Sequence, residues 1–251
     1  MKKEQIYIST IAPDARQAAQ EYGFGLEIAE YCTAWNMDVK LERTHAGVQR
    51  KLEGIDRRVL HAPFNELFPC AIDIKARELA AFRYRQAIEL ARQYGAHKVV
   101  IHSGYYEKMY YPVWFVRESV KFWREFMDSV PEDITICIEN VFEQTSDMLR
   151  DIVRGVEHPR FCICLDIGHV NAYSKEPLSS WLDTCAEFIS HFHIHNNDGS
   201  ADTHNVLHSG SIDMAEFLRA SSQKCPNATY TVEVRDGIGC CSWLRDYMSQ
   251  N

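Results

Sequence analysis

The chain has no CxxC pair, no apolar run near the roughly 20 residues a bilayer span needs, no Lys/Arg-rich run and no Pro/Gly/Ser-rich linker. Each absence excludes something. The longest apolar stretches are strand-sized, such as 134–138, so no membrane segment is expected. The opening MKKEQIYIST carries two lysines but no apolar core or small-residue cleavage site, and it does not read as a secretion signal. A cytoplasmic protein is the expectation. The nine cysteines agree with it, being odd in number and partly set in apolar runs (Cys137, Cys162, Cys164), where free thiols act as small hydrophobes. The adjacent Cys240 and Cys241 are read the same way. A formal net charge of −8 disfavours a polyanion such as nucleic acid as partner, although bound divalent cations would offset charge locally.

What is present is a series. Short β-branched runs alternate with amphipathic stretches from end to end, the pattern of βα units around a parallel sheet. Strands are expected near 5–9, 26–30, 58–61, 98–102, 135–139, 162–166, 192–195 and 230–233. Clear helices lie at 73–94, stopped by Gly95, at 113–129 and at 148–156. Eight strands in 251 residues match a single (β/α)₈ barrel, which typically occupies about 250, so one domain over 1–251 is expected. Two long loops, 31–57 and 196–213, are the expected lids or substrate walls.

The strand ends carry the chemistry. Six of the apolar runs close on a metal-ligand residue type: His61, His102, Glu139, Asp166, His195 and Glu233. One such ending is ordinary for a turn former. Six are hard to reach by chance, and in a closed barrel all of these ends converge on one mouth. Just beyond them, LDIGH adds His169 and the loop HIHNNDGSADTHN adds Asp202 and His204. Imidazoles and carboxylates without thiolate suit Zn²⁺, Mn²⁺, Fe²⁺ or Co²⁺ better than Mg²⁺ or Ca²⁺. Nine groups suffice for two or three ions, and Glu139 and Glu233 can share one only if their carboxylates lie within about 8 Å. The other histidines are read blandly: His45, His97 and His158 as solvated, His191 and His193 as deeper barrel residues with a core role for His193, and His208 as a loop residue within reach of substrate. Asn140, Asn171, Asn196, Asn197, Tyr105 and Trp114 could hold hydroxyls.

Through GLEIAEY, LHAPF, IHSG, IENV, CLDIGH, HIHNNDG, DTHN and TVEVRD, in that order, the chain resembles the xylose-isomerase-like TIM barrels along nearly its whole length. The group includes sugar and sugar-phosphate isomerases and epimerases and the endonuclease IV enzymes of abasic-site repair. The isomerase side of the resemblance implies one divalent metal on Glu139, Asp166, His195 and Glu233, with His169 contacting substrate. Glu139 and Glu233 would then move a proton next to a carbonyl on opposite faces. The endonuclease side implies that all nine residues hold three zinc ions for phosphodiester hydrolysis. The second βα loop, AEYCTAWNMDVK, lacks the basic, glutamine-rich character of the repair enzymes, and no arginine follows Asp198 as it does in several epimerases. The preferred expectation is an isomerase or epimerase of a small sugar, polyol or sugar phosphate, using Zn or Mn, one to three ions per chain. The alternative is a phosphoesterase. A homodimer would be common for such barrels.

Overall fold

The structure, a computed structural model, describes residues 1–250. Eight parallel strands close into a barrel in sequence order: β1 Ile6–Ser9, β2 Gly25–Ile28, β3 Arg58–His61, β4 Lys98–His102, β5 Thr135–Glu139, β6 Phe161–Asp166, β7 Ile189–Ile194 and β8 Thr229–Val232. The helices are α1 Ala15–Tyr22, α2 Ala34–Met37, α3 Leu41–Leu52, α4 Ile74–Gln93, α5 Pro112–Met127, α6 Asp147–Val156, α7 Ile167–Tyr173, α8 Leu178–Cys185, α9 Met214–Lys224 and α10 Gly237–Gln250. Among the described residues no helix is long and apolar enough to cross a membrane. All nine cysteines are free, and Cys240 and Cys241 are buried.

Local chemistry sets the element ends. Asp73 caps α4 by accepting from Lys75 N at 2.8 Å, and α5 opens on Pro112, whose missing N–H costs nothing in a first turn. In α6 the buried residues are Met148, Leu149, Ile152, Val153 and Val156, one stripe at helical spacing. The stripes of α4 and α5 meet over Trp123, which packs on Tyr84 and Phe161 with ring centroids 5.5 and 5.1 Å away.

Three expectations need correction. β2 stops at Ile28 rather than Glu30, because Ala29 N turns to Thr10 Oγ1 at 2.9 Å and the Glu30 carboxylate is taken by Thr10 and Lys51. β7 starts three residues earlier than expected: Ser190 and His191 hide an extended run whose first pair, Ile189 with Ile163, precedes a register shift. The segment 31–57 is no open loop either. It contains α2 and α3, and α3 lies against the barrel through buried Val48 and Leu52.

Trp123→Ala should lower the free energy of unfolding by about 3–5 kcal/mol, the usual loss for a buried aromatic. Urea denaturation measures it. A loss below about 1 kcal/mol would mean that the α4–α5 layer does not hold the barrel as described.

Candidate metal centre

Side chains alternate along a strand, so each inward-facing residue stands two positions above another. Val59, Val100, Cys137 and Cys164 point inward and form a small cluster of their own, separate from the main core between strands and helices. Two residues further along each of those strands come His61, His102, Glu139 and Asp166. On β7 and β8 the same step leads from His193 to His195 and from Thr231 to Glu233. The six strand-end residues are therefore one layer of the barrel interior, standing on a layer of smaller or polar side chains.

That layer is tightly knit. Glu139 Oε2 lies 3.3 Å from His61 Nε2 and 3.4 Å from His102 Nε2, and its Oε1 lies 3.6 Å from His169 Nδ1. Asp166 and Asp202 meet at His195 Nε2, at 3.2 and 3.5 Å. Asp202 also reaches His169 Nε2 at 3.3 Å and His204 Nε2 at 3.1 Å. Glu139 and Glu233 approach the same nitrogen, His193 Nδ1, at 3.1 and 3.4 Å, well inside the limit for a shared ion. The chain turns tightly enough because Asp166 ends β6 and also caps α7, accepting from His169 N at 2.7 Å. Gly168 between them is obligatory: a Cβ there would fall inside the His195 imidazole.

The donor set fits a cation. His61, His169 and His204 each direct Nδ1 at a backbone carbonyl, of Ala62, Asn140 and Glu233, at 2.8, 2.8 and 2.9 Å. A carbonyl only accepts, so Nδ1 carries the proton, and in the neutral ring the Nε2 lone pair faces the site. This is how ligating imidazoles are oriented. Glu139 Oε2, His195 Nδ1 and Asp202 Oδ1 are buried with no hydrogen-bond partner. Buried acceptors without donors are costly unless a positive ion faces them. The residues that could hold it are the nine named above.

Charge directions agree. Burial disfavours a charged His169, yet Asp166, Asp202 and Glu139 push it up to about 10; His204 is likewise pushed up to about 9. Burial, helped by the neighbouring imidazoles, pushes His102 down to about 3 despite Glu139. Burial would raise Glu139, but His193 and His102 hold it well below its ordinary value. The site is rich in anions that draw protons onto imidazoles, and a divalent ion displaces such protons on binding.

One buried residue of this network was not singled out by the strand-end pattern. Glu27, in the middle of β2, contacts His191 Nε2 at 3.1 Å and His193 Nε2 at 2.9 Å and accepts from Thr231 Oγ1 at 2.5 Å. His193 links it to Glu139 and Glu233 above, a polar layer where such barrels usually carry branched apolar residues. The available signal was parity: Glu27, His191 and His193 share the inward register. His45, read as solvated, instead contacts the hydroxyls of Tyr31 and Tyr94 at 2.8 and 2.5 Å from within α3. His97 is exposed and His158 half-buried.

Above the nine residues opens a cavity of about 960 Å³. Cys32 alone from 31–57 lines it, whereas 196–213 contributes Asp202, Thr203 and His204. The aromatic wall comes from shorter connections after β3, β4 and β5: Phe64, Phe68, Tyr105, Tyr106 and Phe142, joined by Tyr173 of α7. Phe64 stacks on His102 with centroids 4.3 Å apart. Tyr105 is thus a cavity residue, but Trp114 donates to Cys70 O, and His208 is exposed outside the lining. Asn140, Asn171, Asn196 and Asn197 are spent within the scaffold; Asn140 pairs with the Asp166 backbone on both sides, at 2.9 and 2.8 Å.

The family profile described as xylose isomerase-like TIM barrel matches residues 10–237. Fructoselysine 3-epimerase of Escherichia coli O157:H7 is 30% identical over 110 residues, 43% of this chain and 38% of that protein. A solved D-tagatose 3-epimerase-like protein superposes with a TM-score of 0.76 at 22% identity, covering 98% of this chain and 97% of its own. The TTHB071 protein of Thermus thermophilus, soaked with zinc chloride, gives 0.79 at 20% identity, covering 98% and 99%.

Glu143 lies just outside the cluster, buried, with Oε2 accepting from Val141 N at 2.6 Å and Oε1 unpaired. Burial pushes it up to about 7 from an ordinary 4.5. A raised carboxyl favours the protonated fold, so its contribution is full at low pH and is lost as pH rises through about 7. Glu143→Gln should therefore gain on the order of 1–3 kcal/mol over the wild type at pH 8.5 and little at pH 4. Urea denaturation at the two pH values checks this, and an equal difference at both would contradict it.

Proposed function

We infer the reaction from one premise: the chain belongs to the xylose isomerase-like TIM barrel family. On that basis it is an isomerase or epimerase that moves a proton next to the carbonyl of a small carbohydrate. The observation that carries this reading is the pair Glu139 and Glu233, brought to one imidazole nitrogen from β5 and from the end of β8 at the floor of a sugar-sized cavity. The epimerase activities named for the relatives support the same class.

Glu139, Asp166, His195 and Glu233 would hold a divalent ion, Zn or Mn being the ions that suit them best. What the ion supplies when bound is polarisation of the substrate's carbonyl oxygen. The remaining work belongs to side chains. One glutamate takes the proton from the carbon beside the carbonyl, and the other returns one to the opposite face. His169, fixed by Asn140 O and Asp202, presents an N–H or lone pair at a set position to a substrate hydroxyl. Phe64, Phe68, Tyr105, Tyr106 and Phe142 close the wall and keep bulk water from the reacting carbon.

A second reading, phosphoester hydrolysis, is favoured by one observation: His61, His102, Asp202 and His204 stand in the same cluster, beyond what a single ion needs. Against it, the cavity lining contains Arg235 and no other lysine or arginine to meet a polyanion.

The protein loaded with Mn²⁺ should wash solvent deuterium into the carbon next to the carbonyl of D-tagatose or D-allulose. Glu139→Gln should slow that exchange by about 10²–10⁴-fold with an unchanged unfolding midpoint. Cleavage of an abasic-site duplex without exchange into either ketose would replace this reading with the second.

A further inference from the structure

Three imidazoles line one face of β7 and its end, His191, His193 and His195, each two positions from the next and each fully buried. The last of them belongs to the candidate ligand set. The middle one is turned the opposite way from the ligands whose proton is fixed. His61, His169 and His204 direct Nδ1 at a backbone carbonyl and present the Nε2 lone pair to the site. His193 instead directs Nε2 at Glu27 Oε1, 2.9 Å away, and Nδ1 at Glu139 Oε1, 3.1 Å away. An ionised carboxylate only accepts, so the ring offers Glu139 an N–H and keeps no lone pair for an ion. Within the cluster His193 is a donor and not a ligand.

The pose is held from several sides. Glu27, buried in the middle of β2, accepts from Thr231 Oγ1 and faces His191 Nε2 at 3.1 Å. The His193 ring stacks with His61, centroids 5.7 Å apart, and meets the edge of His191 at 5.4 Å. Its Nδ1 also lies 3.4 Å from Glu233 Oε2, so one N–H stands between the two glutamates. Glu139 is divided by this contact. Its Oε1 is taken by His193, whereas Oε2 has no hydrogen-bond partner and stands 3.3 and 3.4 Å from His61 Nε2 and His102 Nε2. The last torsion of a glutamate has no sharp preference of its own, so only a hydrogen bond of this kind can fix which oxygen faces the site.

We propose that His193 is a positioning residue: braced by Glu27, it donates from Nδ1 to Glu139, with Glu233 at the same proton, and so sets which carboxylate oxygens face the ion and the substrate. The inference rests on reading Glu139 and Glu233 as the proton-transfer pair and deepens it. Without the N–H, two buried carboxylates would meet with nothing between them, and each could turn away from the other.

The test treats two amide side chains as halves of the imidazole. Asn places its Nδ2 near the position of His Nδ1, and Gln places its Nε2 near that of His Nε2. Metal-stripped protein is titrated with Mn²⁺, and exchange of solvent deuterium into D-tagatose is read at saturating Mn²⁺. His193→Ala should weaken Mn²⁺ binding by about 10–100-fold and lower kcat for exchange about tenfold or more with KM little changed. His193→Asn should recover about threefold or more of both losses, and His193→Gln should recover neither. If the ring only fills the core or satisfies Glu27, Gln becomes the better replacement. That order, equal effects of Asn and Gln, or wild-type Mn²⁺ affinity in folded His193→Ala overturns the proposal. Where the variants do not fold, neutron diffraction from wild-type crystals decides: deuterium on His193 Nδ1 is expected, and a bare Nδ1 overturns the proposal. Wild-type exchange into neither D-tagatose nor D-allulose rejects the carbohydrate reading instead, and the Mn²⁺ titration still decides the role of His193.

Discussion

A strand places every second side chain on the same face, and in a closed barrel one of the two faces has nowhere to go but inward. Six of the nine candidate ligands follow from that constraint. The inward residues of β3 to β6 begin with small or branched side chains, Val59, Val100, Cys137 and Cys164, which fill the axis without crowding it. The next inward step is a ring of His, Glu and Asp at the mouth. Charged groups from strands as distant in sequence as β3 and β8 thereby share hydrogen-bond distances without any loop having to carry them there.

Such a ring cannot stand on geometry alone. Buried carboxylates repel one another, and Glu139 and Asp202 each keep an oxygen with no hydrogen to accept. Part of the imbalance is met from below, where His193 lies between Glu27, Glu139 and Glu233. The rest faces the cavity. Backbone carbonyls fix the protons of His61, His169 and His204 on Nδ1, so the free nitrogens are aimed before any ligand arrives. Preorganisation of this kind costs stability, whereas the aromatic layer of α4 and α5, far from the chemistry, packs around a fully buried Trp123.

Much of this was legible in the sequence. Strand ends such as VVIH and ICLD announce themselves because an apolar run halts on a ligand type, and the six residues collected that way, with the three just beyond them, all border the cluster. What escaped did so for physical reasons. Glu27 lies inside a strand, where a carboxylate reads as a solvent-facing alternate, and only barrel closure shows that its partners are on β7 and β8. The start of β7 was masked by Ser190 and His191, polar residues that a buried strand seldom carries. Loop length was a poor guide to the cavity wall: 31–57 spends its residues on two helices, while the short connections holding Phe64 and Tyr105 do the lining. Asp14 caps α10 from more than two hundred residues away, a contact that no local pattern encodes.

We infer that the ring of imidazoles and carboxylates is built around a divalent cation. Metal content of the freshly purified protein, measured by inductively coupled plasma mass spectrometry beside an Asp166→Asn, His195→Ala variant, tests it most directly. At least one first-row divalent ion per wild-type chain is expected, with loss of most of it in the folded variant. A wild type that carries no metal and takes up none from millimolar Zn²⁺ or Mn²⁺ would contradict it.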